Sequence, residues 1–326
     1  MKLLWPGAIA AATIAMAGLA AAPAAHAQDP IDAVVDSICE REYEALPYGT
    51  ILDLLDPEAP PERRAAALEA YQRLATITEC PEFAYTLGQL YRHGPDLPGN
   101  PLPQDVERAR ELIRPMAEQA GYISAFADLA EMEMRHANAR EAMKWTQVYL
   151  HLVQRVRMED ADPDERHYQR SAYNGHLLAR SELIWRWARP VLRRKQKDED
   201  FNGYLAGHGD IVERVRAYEQ GYSHRRRSAQ NLGVRVTNDP GTCYISDLDR
   251  LGSASAAWIV EVLPSGGKGR IVLENFVPNA KVTEEMKACL LRLEFAPFGG
   301  TTPVTFRYSA VMGSGEGASF SRPRRR

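Results

Sequence analysis

The first periodic stretch of the chain places Ile31, Val34, Val35, Ile38 and Cys39 at i, i+3, i+4, i+7 and i+8, one face of a helix. Asp29-Pro30 before it fits an N-cap followed by proline at the first helical position. A short element over 51–55, broken by Pro57, Pro60 and Pro61, and an Ala/Leu/Arg-rich helix over 62–77 follow, and Cys80-Pro81 closes the helix. From Phe83 the pattern predicts paired helices: one through Tyr91, a Pro/Gly loop over 94–103, and a partner over 105–120 stopped by Gly121. Phe126-Ala127-Asp128-Leu129-Ala130 and Ala142-Met143-Lys144-Trp145 echo that pair. The recurrence of roughly 33 to 42 residues is the spacing of a solenoid. A further helix over 163–188 turns Leu177, Leu178, Ile184 and Trp185 inward and ends at Pro190. The mixed-charge run 193–200 predicts a solvated helix face or a linker, Gly203, Gly207 and Gly209 a loop, and 211–218 a last helix closed by Gly221.

After a polar, turn-rich stretch over 222–241 the period changes to two. Strands are predicted over 257–263 and 270–277 around the Pro264-Ser265-Gly266-Gly267 turn, with a third over 303–311. Between the second and third lies a helix over 282–294, with Thr283 as its expected N-cap. The expected fold class is α+β: an N-terminal all-α helical-repeat array over 28–221, a linker, and a small β-β-α-β domain over 242–312. The Arg-rich end, 313–326, has the composition of a disordered basic tail.

Residues 1–27 have the pattern of a cleavable secretory signal. Lys2 supplies the positive start, 3–19 the apolar region, and Ala25-His26-Ala27 the small-x-small cleavage site. An uncleaved anchor is the alternative, but an alanine-rich stretch drives insertion weakly. The 326-residue chain has a formal charge of −3 and 45% hydrophobic residues, ordinary for a soluble globular protein, so nucleic acid is not an expected partner. Four cysteines allow three pairings. Joining Cys39 to Cys80 and Cys243 to Cys289 crosses no domain boundary; free buried thiols are the alternative.

The chemistry-bearing motifs are thin. Ser265-Gly266-Gly267-Lys268 has the S-x-x-K spacing of penicillin-recognising enzymes but stands in a hairpin turn, where Ser and Lys would not share a helix face. The histidines are scattered. His93 and His136 each stand near a helix end, where a polar cap is the ordinary use. Glu131 and Glu133 are two apart on a helix and point apart. Neither metal-ligand spacing nor a phosphate-binding loop is found, so no catalytic residue, metal or cofactor is assigned. Tyr91, Tyr122, Trp145 and Trp185 are the candidate partner-binding residues, because aromatics on a solenoid's concave face commonly serve as anchors.

Two resemblances sharpen this. Ala84, Leu87, Gly88, Tyr91, Gly94, Asp105, Ala109, Ala117, Ala120 and Gly121 resemble the Sel-one-like repeat, a relative of the tetratricopeptide repeat, over about 83–151. Its large inward residue would be Leu112 in the first unit and Trp145 in the second. Over about 241–312, Pro264 with Gly266 or Gly267, Ala288-Cys289-Leu290, Arg292 to Pro297, Gly299-Gly300, Pro303-Val304 and Phe306 resemble the C-terminal domain of TonB-type energy transducers. The Tyr-Pro box, membrane anchor and long proline-rich linker of a working transducer are missing, so the fold is expected to carry over and transduction is not. These resemblances imply a non-enzymatic adaptor of the Gram-negative periplasm, without a transmembrane segment once mature, whose partner is a periplasmic or outer-membrane protein or peptide. The alternatives are an energy-transduction accessory for outer-membrane transport and a cell-envelope enzyme acting on peptidoglycan or β-lactam-like substrates.

Overall fold

The computed structural model describes residues 38–39, 41–158, 172–230, 234–238, 253–277 and 281–313. The leader at 1–27, most of the first predicted helix, the opening of the helix expected from Pro163, Cys243 and the tail beyond Gly313 lie outside the described residues.

The helical half consists of α1 (Thr50–Leu55), α2 (Pro61–Leu74), α3 (Pro81–His93), α4 (Val106–Glu118), α5 (Ile123–Arg135), α6 (Ala139–Val153), α7 (Ala172–Ala188), α8 (Arg194–Gly207) and α9 (Ile211–Gln230). Prolines open α2 and α3, where a missing N–H costs nothing. Asp105 caps α4 by accepting from the Arg108 amide at 2.9 Å, and Asn138 caps α6 through the Glu141 amide. Gly88 lets α3 and α4 approach closely, since a Cβ there would lie 2.7 Å from the Ile113 side chain. Gly121 turns the chain at a φ of +79°, with the α9 backbone at Arg214 and Val215 pressed where a side chain would stand.

Two elements depart from expectation. The charge run forms a solvated helix face, one of the two readings offered for it, as the first half of α8; the loop expected at Gly203 and Gly207 is instead helix, since α8 continues through both. Its i,i+4 pairs, Arg194 with Asp198 and Lys195 with Glu199, face water, and Tyr204 and the half-buried Phe201 supply the inward contacts that hold a helix of weak intrinsic propensity. The helix expected to stop at Gly221 runs on to Gln230, into the stretch read as linker.

The other half is β1 (Ser253–Val262), β2 (Lys268–Val277), α10 (Lys281–Leu290) and β3 (Val304–Gly313), in the order the sequence predicts. The antiparallel sheet has the strand order β2-β1-β3, so the last strand pairs with the first, Ser253 opposite Gly313 and Val262 opposite Val304. Helix α10 begins two residues before its expected cap, which leaves Thr283 buried in the first turn, and it ends at Leu290 rather than near Glu294. On β1 the expected alternation is lost. Ala256, Ala257, Trp258, Ile259, Val260 and Val262 are all buried, as on a strand covered on both faces. α10 packs against β1, α7 against β1 and β3, and α1 against β2.

The fold is therefore α+β, but its halves are not independently packed. Leu52, Leu54, Tyr71, Leu74, Phe83 and Leu90 of the first helices join Trp258, Val260, Val272, Phe276, Met286 and Phe295 in one hydrophobic cluster. A second cluster, built on Ile113, Phe126, Leu129, Trp145, Tyr149 and Val215, fills the space between the later helices. The boundary drawn near residue 230 thus separates stretches of sequence and not cores. The reason is a shortage of cover: a three-stranded sheet with one ten-residue helix cannot bury both faces of its central strand.

Cys39 and Cys80 are disulfide-bonded. Cys289 is also disulfide-bonded, and among the described residues no cysteine is free. Disulfides are compatible with a secreted protein. Among the described residues no helix is long and apolar enough to cross a membrane.

Candidate functional site

Charged side chains converge at the seam between helices and sheet. On α3, Tyr85, Gln89, Arg92 and His93 fall at the spacing that aligns one helical face; on α5, Asp128, Glu131 and Arg135 do the same. Arg180 reaches in from α7 and Asn275 from β2. Asp128 lies at the centre. Its Oδ1 accepts from Arg92 Nη1 at 2.5 Å and from Arg180 Nη2 at 2.6 Å. Its Oδ2 accepts from Gln89 at 2.7 Å and from the Tyr85 hydroxyl. Glu131 pairs with Arg180 and, at 3.5 Å, with Arg92, while Arg135 closes the rim on Glu131 and lies over the Phe276 ring. Arg92 also donates to Asn275 Oδ1 at 2.7 Å, which ties the helices to the sheet. Glu133 points away from Glu131, to Arg110 and Asn138, as a two-residue spacing requires.

The side chains of Arg92 and Arg180 are both 0% exposed and that of Asp128 is 1%. Burial pushes the Asp128 carboxyl up, but Arg92 and Arg180 beside it and the bond from Tyr85 outweigh burial and hold it down to about 2. Two carboxylates and two guanidinium groups face one another inside the hub. Their accounting of hydrogen bonds is incomplete: Arg92 Nε, Arg180 Nε and Arg180 Nη1 are buried without a protein hydrogen-bond acceptor. Such a network adds little net stability compared with an apolar filling, yet it accepts one arrangement of its helices and resists others.

His93 is the titratable member. Its Nε2 accepts from Arg92 Nη2 at 2.7 Å, which places the proton of a neutral ring on Nδ1, a buried nitrogen with no hydrogen-bond partner. Burial first, then the charges of Arg92, Arg135 and Arg180, hold its pKa well below 6.5, with Asp128 opposing. It is a folded-state neutral group, not the polar helix cap expected for it. The sign of the linkage follows. Below about pH 6.5 the unfolded chain binds a proton here that the folded chain refuses, so stability falls on acidification by at most about 1.4 kcal/mol per pH unit. Asp128 adds a second loss, beginning near the unfolded carboxylate value of about 4 and continuing to about 2. Urea midpoints measured from pH 7.5 to 5.0 are expected to fall for the native chain. They flatten in His93→Gln, whose amide oxygen still accepts from Arg92; an unchanged slope would remove His93 from this account.

A second charged contact joins the halves. Asp53 on α1 accepts from Arg63 Nη2 at 2.9 Å and from Arg270 of β2, and Arg270 also faces Glu261 of β1. Neither ionic group contains a serine, threonine, cysteine or lysine, and among the described residues no three His, Cys, Asp or Glu side chains could hold a metal. Ser265 and Lys268 do not meet: Ser265 Oγ accepts from the Gly267 amide, and Lys268 Nζ donates to the Leu293 carbonyl.

The aromatic candidates are dispersed. Trp145 is 2% exposed, set edge-on to Tyr204 at 5.2 Å and close to Phe126, so it fills core and offers no surface to a partner. Helical spacing alone does not separate an inward from an outward aromatic, which is why the sequence placed it among the anchors. Tyr91 is half-buried against both hydrophobic clusters. Tyr122 is half-buried between Tyr85 and Tyr218, each ring 5.4 Å away. Trp185 is half-buried on α7. Beside Trp145, a shallow groove of about 390 Å³ is lined by Arg140, Lys144, Asp200 and Tyr204.

What remains open is the sheet. β3 has β1 on one side and no described strand on the other, with Thr305 and Arg307 exposed along it. No family model, curated protein or solved structure matches the chain.

Proposed function

We propose that this chain is an exported, non-catalytic adaptor of the periplasm that takes an extended segment of an envelope protein along the outer edge of β3. The observation that carries this reading is the ten-residue β3 at the end of the strand order. An unpaired edge offers alternating N–H and C=O groups to a partner strand, with side chains supplying specificity. The hub and the shared core support it, because strand addition needs a sheet held rigid from behind. The bonded cysteines and the leader pattern support an oxidising compartment. The close approach of α3 and α4 at Gly88 supports reading these helices as Sel-like units, and the β-β-α-β order supports a TonB-type ancestry for the sheet.

A photoreactive residue placed at Thr305 tests the reading in cells. The expected result is a discrete adduct with an envelope protein, absent from the same probe placed at exposed Arg108 on α4. Equal labelling from both positions, or none from Thr305, would overturn it.

A further inference from the structure

The corner joining α7 to α8 carries the opposite character to the rest of the surface. Trp187 is 38% exposed and Val191 69%, and few large apolar side chains among the described residues face water. Between them the 3-10 turn Arg189–Val191 buries nothing. Residues 186–195 hold five cations, Arg186, Arg189, Arg193, Arg194 and Lys195, and no carboxylate, although the whole chain is at −3. Arg186, Arg194 and Lys195 have helical partners in Glu182, Asp198 and Glu199, all exposed pairs. Among the described residues the guanidinium groups of Arg189 and Arg193 make no ion pair.

We infer that this corner is a docking surface for an anionic phospholipid bilayer. The charge is complementary and local, so the corner is drawn to a negative surface while the chain as a whole is not. Trp and Arg are the residues that favour the headgroup layer, the indole entering beside the acyl chains and the guanidinium groups holding phosphates. The site is an exposed helix corner rather than a groove. Exposed apolar side chains with cations on either side of them in the chain suit a broad fluid surface better than an extended peptide, which needs walls on both sides. The binding expected is weak and reversible, because one tryptophan and a few cations give far less than a spanning helix. It would hold the adaptor beside a membrane, and it does not depend on the β3 edge binding anything.

The test is flotation of the full chain with vesicles of phosphatidylcholine alone or with about a third phosphatidylglycerol. Retention is expected only on the anionic vesicles, with a blue shift of tryptophan emission and loss of retention at high salt. Arg189→Glu with Arg193→Glu should weaken binding by at least about 30-fold, the effect of losing two surface cations. Trp187→Ser should abolish the blue shift. Arg108→Glu, on a distant exposed helix, should change neither. Circular dichroism of each variant keeps a folding defect from being mistaken for a binding one. Failure to float with anionic vesicles would overturn the inference, and so would flotation indifferent to these substitutions. Binding of soluble polyglutamate as tightly as vesicles would overturn it too, by making the corner a site for acidic peptides.

Discussion

Asp128→Ala is expected to destabilise the protein by about 3–5 kcal/mol, a large fraction of the roughly 5–15 kcal/mol that holds an ordinary domain folded. The loss does not come from the missing carboxylate contacts alone. Removing Asp128 leaves Arg92 and Arg180, both without solvent access, facing each other across a space that held their common counter-ion. It also strips the acceptor from Tyr85 and Gln89. Glu131 then has to neutralise two cations while already engaged by Arg135. Urea denaturation of the single variant measures the cost. Replacing Arg92, Asp128, Glu131 and Arg180 together with Met and Leu residues of similar volume is expected to recover most of it, because an apolar filling avoids desolvating charge. A single variant within about 1 kcal/mol of the native chain would show that the hub is solvated and not dry.

The second large effect is expected from the Cys39–Cys80 bond. Cys80 is buried at the start of α3, and Cys39 reaches it from the preceding helical turn. The bond closes a separation of 41 residues, and the chain-entropy relation gives about 4 kcal/mol for a loop of that size. Cys39→Ala with Cys80→Ala should lower the melting temperature by about 5–10 °C, and reduction of the native protein, which also opens the bond at Cys289, by at least as much. The bonded segment contains α1 and α2, which contribute Leu52, Leu54, Tyr71 and Leu74 to the core beneath the sheet. Loosening it is therefore expected to increase hydrogen exchange in β2 as well as in α2. A change confined to 38–80 would contradict the shared core.

The elements were largely legible because the chain announces them locally. Proline openings, the Asp105 cap and the stop at Gly121 depend on neighbours a few residues away, and these helices lie where the periodicity put them. What was not legible depended on distant partners. Nothing near α8 says that its helix will continue through Gly203 to Gly207, held by Tyr204 and Phe201. Trp145 looks the same in sequence whether it faces a groove or fills one. The hub shows the limit most clearly. Arg92, Asp128, Glu131 and Arg180 each look like ordinary charges on amphipathic helices, and only the fold brings them together with Asn275. One signal was available: Arg92 and Asp128 lie on the apolar sides of their helices, among Leu87, Gly88 and Leu90 and among Phe126, Ala127, Leu129 and Ala130. Charge in such a setting is a cue for buried pairing.

The pairing of the last strand with the first has a consequence for the order in which the protein is made. Helices α1 to α3 leave the ribosome long before β1 and β2 exist, so Leu52, Tyr71 and Leu90 must wait bare for the surface that will cover them. When β1 and β2 do arrive, they form a hairpin lacking its third member until β3 emerges. The nascent chain thus carries sticky surface through most of its synthesis and can settle only near the end. A protein so built gains from a holdase early and folds late, as a whole.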